Sequence, residues 1–116
     1  MSVTTIQNEQ AKKYPFLAEL YLDDYFPDNL IDKAKDILVQ LCVDIEAQTP
    51  PALEDFYTLT HAATEQFNQL AEEFVAQESE IETSAREAIA VDMTMISLFY
   101  GFEDADAEEM IANRDW

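Results

Sequence analysis

The chain has 116 residues, 48% of them hydrophobic, which is enough to bury the core of one domain. Twenty-five acidic residues against six basic ones give a formal charge of −19, a field that repels nucleic-acid phosphates and anionic membranes. One cysteine and one glycine exclude an intrachain disulfide, a multi-cysteine zinc site and a glycine-rich phosphate-binding loop.

Residues 1–13 are polar and lack apolar periodicity, which predicts a flexible arm before a single helical domain over residues 14–116. No apolar run approaches the roughly 20 residues of a membrane span, and the first residues lack a signal-peptide core, so we expect a cytoplasmic protein. The segment YPFLAELYLDDYFP, residues 14–27, predicts the first of four main helices, with Pro15 in its first turn.

Three longer amphipathic helices follow. The second helix takes Asp28 or Asn29 as its cap. Its apolar positions recur at helical spacing for four turns: Leu30, Ile31, Ala34, Ile37, Leu38, Leu41, Cys42 and Ile45. The third helix has inward positions at spacings of three and four: Leu53, Phe56, Thr60, Ala63, Phe67, Leu70 and Phe74. The fourth is predicted to begin with a capping box of Ser79 and Glu82 and to end at Gly101.

A short last helix is predicted after Gly101, with Asp104 or Asp106 as its cap and Met110 and Ile111 facing inward. Short loops between the helices favour antiparallel neighbours. The predicted fold is therefore an all-α antiparallel bundle of four main helices plus a short C-terminal helix.

Four residues are candidates for a buried polar site: His61, Glu65, Arg86 and Asp92. Asp92 continues the inward series of the fourth helix, where a charge is costly unless it is paired, and Arg86 and His61 are its candidate partners. His61 and Glu65, four residues apart on one helix face, offer a weak metal site as an alternative. Since di-iron bundles need two histidines and the chain has one, no metal or other cofactor is expected.

Two acidic clusters form a candidate binding surface: Glu72, Glu73, Glu78, Glu80, Glu82, Glu103, Asp104, Asp106, Glu108 and Glu109. From residue 37 onward, 18 acidic residues stand against two arginines. Carboxylates one helical turn apart are spaced by about 6 Å, comparable to the phosphates of a nucleic-acid strand. A calcium loop starting at Asp104 is disfavoured, because Glu109 stands where the sharp turn needs glycine. The alternative is a merely solubilising surface.

The predicted fourth helix has a second apolar face, formed by Ala88, Val91, Met95 and Leu98. A helix that is apolar over much of its circumference is either central in the bundle or shared with another subunit. A homodimer is therefore an alternative to central placement.

Four segments resemble a family of short acidic bacterial proteins that is known as a domain of unknown function: YPFLAELYLDDYFP, LTHAATEQFNQL, EIETSAREAIA and YGFEDADAEEMIANRDW. The resemblance covers roughly residues 14–116. It implies a bacterial, cytoplasmic origin, and it brings no activity, cofactor or catalytic residue.

The sequence favours a non-catalytic binding protein that presents a negative surface to a basic protein partner, like an immunity protein or a nucleic-acid mimic. Direct binding of nucleic acid or membrane is not expected, and no catalytic residue is assigned. A small metal-dependent enzyme using Asp92, His61 and Glu65 is one alternative. A homodimeric helical scaffold built on the fourth helix is another.

Overall fold

Five α-helices and one 3-10 helix occur in the computed structural model, which describes residues 6–79 and 81–116. They are α1 (Glu9–Lys13), the 3-10 helix (Ala18–Leu22), α2 (Asp28–Gln48), α3 (Leu53–Ala76), α4 (Thr83–Phe99) and α5 (Ala107–Met110). No strand is present in the described ranges. The predicted all-α bundle is confirmed.

The three long helices run alternately up and down. Lys33, near the start of α2, pairs with Glu73, near the end of α3, at 2.5 Å, so these two helices are antiparallel. Tyr100, just after α4, donates a hydrogen bond to Glu46, near the end of α2. The eight apolar positions predicted for α2 are all buried, as their helical spacing requires.

The segment over residues 14–27 differs from its prediction, because it forms the 3-10 helix and turns instead of a full α-helix. Leu17 has a left-handed backbone (φ 57°, ψ 27°) that a continuous right-handed helix cannot include. Asp23 then accepts the N–H of Tyr25 through Oδ1 at 2.9 Å, a local turn that competes with helix. The apolar side chains still enter the core: Phe16, Leu17, Leu20 and Phe26.

The flexible arm predicted for residues 1–13 is wrong for residues 6–13, which pack on the bundle; residues 1–5 lie outside the described residues. Asn8 caps α1 by accepting the N–H of Ala11 at 2.9 Å, and its Nδ2 donates to the carbonyl of Phe99 at 2.9 Å. Glu46 accepts the N–H groups of Gln7 and Asn8. Specific hydrogen bonds therefore hold a polar segment that has little apolar patterning.

The end of α4 follows its prediction. Gly101 has a left-handed backbone (φ 85°) and donates its N–H to Leu98 at 3.2 Å, while Phe102 donates to Ser97 at 2.7 Å. These two bonds form a Schellman motif, which satisfies carbonyls that the helix end leaves free.

The end of α3 has the same motif without a glycine. Glu78 occupies the left-handed position (φ 61°) and donates its N–H to Val75 at 2.9 Å, and Ser79 donates to Phe74 at 2.8 Å. A residue with a side chain is less stable in this conformation than glycine, so the turn carries backbone strain.

Two predicted helix starts are wrong. Ser79 forms no capping box with Glu82, because its hydroxyl donates to the carbonyl of Tyr25 at 3.1 Å and α4 starts four residues later. At α2, Asp28 is already the first helical residue, so neither Asp28 nor Asn29 caps the helix by a side chain. A connection to a distant loop prevails over the local capping pattern at Ser79.

Helix α5 closes one side of the core. Asp106 caps it by accepting the N–H of Glu108 at 3.0 Å, and Met110 and Ile111 are buried, as the sequence predicted. Cys42 is buried among the apolar residues of α2, and burial raises the pKa of its thiol to about 12. Among the described helices, none combines the length and the apolarity required to cross a bilayer.

Candidate binding surface

Asp92 on α4 is 5% exposed and holds residues 14–17 against the bundle. Its Oδ1 accepts the hydroxyl of Tyr14 at 2.8 Å, and its Oδ2 accepts the N–H of Leu17 at 2.7 Å. These bonds partly compensate for burying the carboxylate, and they hold the left-handed conformation of Leu17. The prediction that Arg86 or His61 pairs with Asp92 is wrong, since its hydrogen-bond donors are a hydroxyl and a backbone amide.

The two acidic groups in this contact are both shifted. Burial raises the pKa of Asp92, and the hydrogen bonds from Leu17 and Tyr14, which favour the charged form, offset part of that rise. Burial and the hydrogen bond to Asp92 raise the pKa of Tyr14 to about 12, so its hydroxyl keeps its proton at neutral pH.

A cleft of about 460 Å³ opens beside Asp92, between the segment that carries Tyr14 and the first half of α4. Three carboxylates line it, from Glu19, Glu87 and Asp92, and none of the described residues in its lining is a lysine, arginine or histidine. Ala88 and Val91 supply apolar wall. The cleft therefore combines a negative charge with apolar contact area, a combination that suits a cation with an aliphatic body.

The outer face of α4 continues this surface with apolar side chains. Val91 is 56% exposed and Leu98 is 46% exposed, seven residues further along the same helical face. Leu22 is 86% exposed and lies one 3-10 turn after Glu19, which lines the cleft. The second apolar face predicted for the fourth helix is thus partly in solvent, and α4 is not enclosed on this side.

His61 and Glu65 serve a different purpose from the one predicted. They bind residues 102–116, here called the 102–116 segment, which runs along α3. The Nε2 of His61 donates to the carbonyl of Glu109 at 2.7 Å. Asn113 Nδ2 donates to the carbonyl of His61 at 3.1 Å and to Glu65 Oε2 at 3.2 Å.

Further contacts extend this attachment along the helix. The hydroxyl of Tyr57 accepts the N–H of Asp106 at 2.9 Å, at the beginning of the 102–116 segment. Asn68, about three turns later on α3, donates to the carbonyl of Asn113 at 3.1 Å and accepts the N–H of Asp115 at 2.8 Å. Polar residues at one-turn intervals therefore fasten the 102–116 segment to α3.

The four residues predicted as one buried polar site do not form a single cluster, since in the described chain only His61 and Glu65 share a partner, Asn113. Arg86 is half-buried and donates to Thr83 Oγ1 at 3.4 Å, within its own helix. Among the described residues, no group of three or more histidine, cysteine or acidic side chains is arranged to hold a metal ion. Of the four, Asp92 alone lines the cleft.

The acidic clusters are on the surface. Nine of their ten members are exposed: Glu72, Glu73, Glu78, Glu82, Glu103, Asp104, Asp106, Glu108 and Glu109. Glu80 lies outside the described residues. Within the described chain, two members pair with a basic side chain: Glu73 with Lys33 at 2.5 Å and Glu108 with Arg114 at 3.7 Å. Glu109 lies 3.4 Å from the ring nitrogen of His61.

Glu46 is a second anchoring carboxylate that the sequence did not indicate. Burial raises the pKa of Glu46, but the hydrogen bonds from Tyr100, Gln7 and Asn8 together outweigh it and hold the pKa below its usual range. One sequence pattern could have indicated both Glu46 and the partner of Asp92. It is a carboxylate at the inner edge of a helix in a chain whose tyrosines can donate hydrogen bonds to it.

Comparison with known protein families assigns this chain to one of them. The model of "Family of unknown function (DUF5713)" matches residues 10–116. The chain belongs to this family. Membership of DUF5713 confirms the resemblance to a family of unknown function, and the match includes most of α1 as well as the helical bundle. Neither the curated proteins nor the solved structures include a match to the chain.

Proposed function

We propose that this protein is a non-catalytic binding protein whose negative surface takes up a basic protein partner. The observation that carries this proposal is the solvent exposure of the acidic clusters with little internal neutralisation. Nine described members are exposed, and two of them have a lysine or arginine partner in the described chain. Exposed charges of one sign accelerate the association of an oppositely charged protein.

The distribution of the acids supports a protein partner. The 102–116 segment presents its acids beside the first half of α3, and the other cluster surrounds the end of α3. About 13 residues of helix separate His61, which contacts Glu109, from Phe74 at the α3 end, which corresponds to about 20 Å. A partner that contacts both clusters therefore needs basic groups spread over a folded surface.

The alternative of a metal-dependent enzyme has less support from the geometry. His61 and Glu65 are engaged by the 102–116 segment, and Asp92 is engaged by Tyr14 and Leu17. These three residues would have to leave their partners before acting together on a metal or substrate. The homodimeric scaffold built on α4 stays a prediction.

The test is affinity capture from a nuclease-treated bacterial lysate at low salt, followed by titration calorimetry of the captured protein. We expect a basic protein, and we expect its Kd to rise at least tenfold between about 50 mM and about 500 mM salt, because exposed charges are screened beyond roughly 8 Å at physiological ionic strength. A Kd that does not change with salt concentration would argue against the proposal.

A charge-reduced variant provides the control. The five substitutions are Glu72→Gln, Glu78→Gln, Glu82→Gln, Glu103→Gln and Asp104→Asn. These side chains make no hydrogen bond or ion pair in the described part of the chain, so the fold should persist. The variant should bind the captured protein more weakly at low salt and approach the wild type at high salt, where screening removes the difference.

A further inference from the structure

The α4 face is defined here as the exposed apolar row of α4 together with the cleft beside Asp92. Val91 and Leu98 lie seven residues apart on the same side of α4, which separates them by about 10 Å along the helix axis. Apolar anchors at the same spacing occur along the apolar side of a second amphipathic helix. The row therefore matches a helical segment laid alongside α4.

Charge distinguishes between the occupants of this face. Glu19, Glu87 and Asp92 line the cleft, and the other lining residues that the structure describes include no basic side chain. Glu87 is exposed and has no hydrogen-bond or ion-pair partner in the described chain, so its carboxylate is available to an incoming cation. An arginine or lysine can place its aliphatic stem against Val91 and its charge among the carboxylates.

We propose that the α4 face docks an amphipathic helical segment of a basic protein, with apolar anchors on Val91 and Leu98 and an arginine or lysine side chain in the cleft beside Glu87. This inference rests on the proposed function and names the surface and the partner segment that it uses. The acidic clusters of residues 72–82 and 103–109 then act as the long-range field, and the α4 face supplies the specific contact.

A second copy of the chain is a poor occupant of the same face. A two-fold dimer places the same patch on both sides of the interface, so two sets of the carboxylates Glu19 and Glu87 would approach one another. Each copy also carries a formal charge of −19. Like charges brought together at an interface oppose association, whereas a basic helix neutralises them.

The test uses two synthetic peptides of about 18 residues, long enough for several helical turns. One has leucines at helical spacing and arginines on its other face, and the second has glutamine in place of every arginine. Both are titrated into isotopically labelled protein and followed by backbone NMR shifts. With the arginine peptide, we expect shifts concentrated in residues 14–22 and 84–98. The glutamine peptide should bind at least fivefold more weakly.

Matched variants distinguish binding at the α4 face from attraction to the overall negative charge of the protein. Glu87→Gln and Val91→Ser should each weaken binding of the arginine peptide about fivefold or more. Asp55→Asn and Val75→Ser change an exposed acid outside the acidic clusters and a 64% exposed valine, both on α3, and they should alter the Kd less than twofold. All four side chains are exposed, so circular dichroism and melting temperature should match the wild type.

Each other outcome overturns the docking proposal. Shifts confined to residues 72–82 or 103–109, with full binding by the Glu87 and Val91 variants, would move the contact to the acidic clusters and leave the proposed function standing. Equal binding of both peptides, or no binding of either, would also contradict it. A wild-type dimer that Val91→Ser converts to a monomer would assign the face to a second copy.

Discussion

Asp92 and Leu17, 75 residues apart in sequence, are joined by a 2.7 Å hydrogen bond from the Leu17 N–H to the Asp92 carboxylate. The bond connects the middle of α4 to a residue in a left-handed conformation that is 2% exposed. A buried carboxylate thus determines the path of residues 14–22, and this path forms one wall of the cleft.

Asp92→Ala should destabilise the protein by about 3 kcal/mol, because it leaves the buried Leu17 N–H without an acceptor and removes the reason for its left-handed backbone. Tyr14→Phe removes the other hydrogen bond and should cost about 1 kcal/mol. Urea denaturation measures both. Equal stability of Asp92→Ala and the wild type would show that the contact contributes nothing to folding.

Glu78→Gly should stabilise the protein by about 1 kcal/mol, since glycine adopts the left-handed conformation at the end of α3 without a clash at Cβ. The preceding residue provides the control, because Gln77 has a negative φ of −103° and glycine brings no relief there. Gln77→Gly should therefore be neutral or destabilising. Thermal melting of both variants decides the point, and an equal shift in both would remove the strain explanation.

The two anchoring carboxylates should give opposite pH dependences. The folded pKa of Glu46 is lowered, so its stabilising contribution is present above its unfolded pKa and is lost as pH falls through the folded value. The folded pKa of Asp92 is raised, so the pH-dependent part of its contribution is complete below its unfolded pKa and is lost as pH rises through the folded value.

Denaturation of the wild type, Glu46→Gln and Asp92→Asn from about pH 7 to about pH 3 covers the ordinary carboxyl range. On acidification the wild type should lose stability relative to Glu46→Gln and gain it relative to Asp92→Asn. Because the proteins share all their other acids, taking the difference in unfolding free energy between two of them cancels the pH dependence that those acids contribute. Parallel curves for all three proteins would contradict the assigned pKa directions.

Asn68→Ala should loosen the 102–116 segment, because Asn68 bonds both the Asn113 carbonyl and the Asp115 N–H. We expect a loss of about 1–2 kcal/mol and faster hydrogen exchange at the Asp115 amide. Gln69→Ala alters an exposed neighbour whose side chain makes no hydrogen bond in the described chain, and it should leave that exchange rate unchanged. Unaltered exchange in Asn68→Ala would mean that other contacts hold the segment.

The sequence predicts those parts of the fold that depend on periodicity. The stripe from Leu30 to Ile45 on α2 and the stop at Gly101 both follow from local rules, since helical spacing and a left-handed glycine act within a few residues. The end of α3 has the same hydrogen-bond pattern, but its left-handed position is occupied by Glu78, a residue type that does not by itself indicate a turn.

The errors arise where a distant partner decides the conformation. Residues 14–27 have helical spacing, yet the bond between Leu17 and Asp92 interrupts the helix. His61 and Glu65 resemble a ligand pair on one helix face, but their partners lie about 48 residues later in the 102–116 segment. The sequence predicts Asp92 to be a buried polar residue, whereas its donors and the neighbouring cleft depend on tertiary packing.

The proposed function requires that the protein recognises its partner through charge. The most direct test is to measure the association rate constant of the arginine peptide with the wild-type protein by stopped flow, from about 20 mM to about 500 mM salt. If the negative surface attracts a basic partner, the association rate should fall steeply as salt rises, while the dissociation rate changes little. An association rate that is independent of salt would contradict the proposed function.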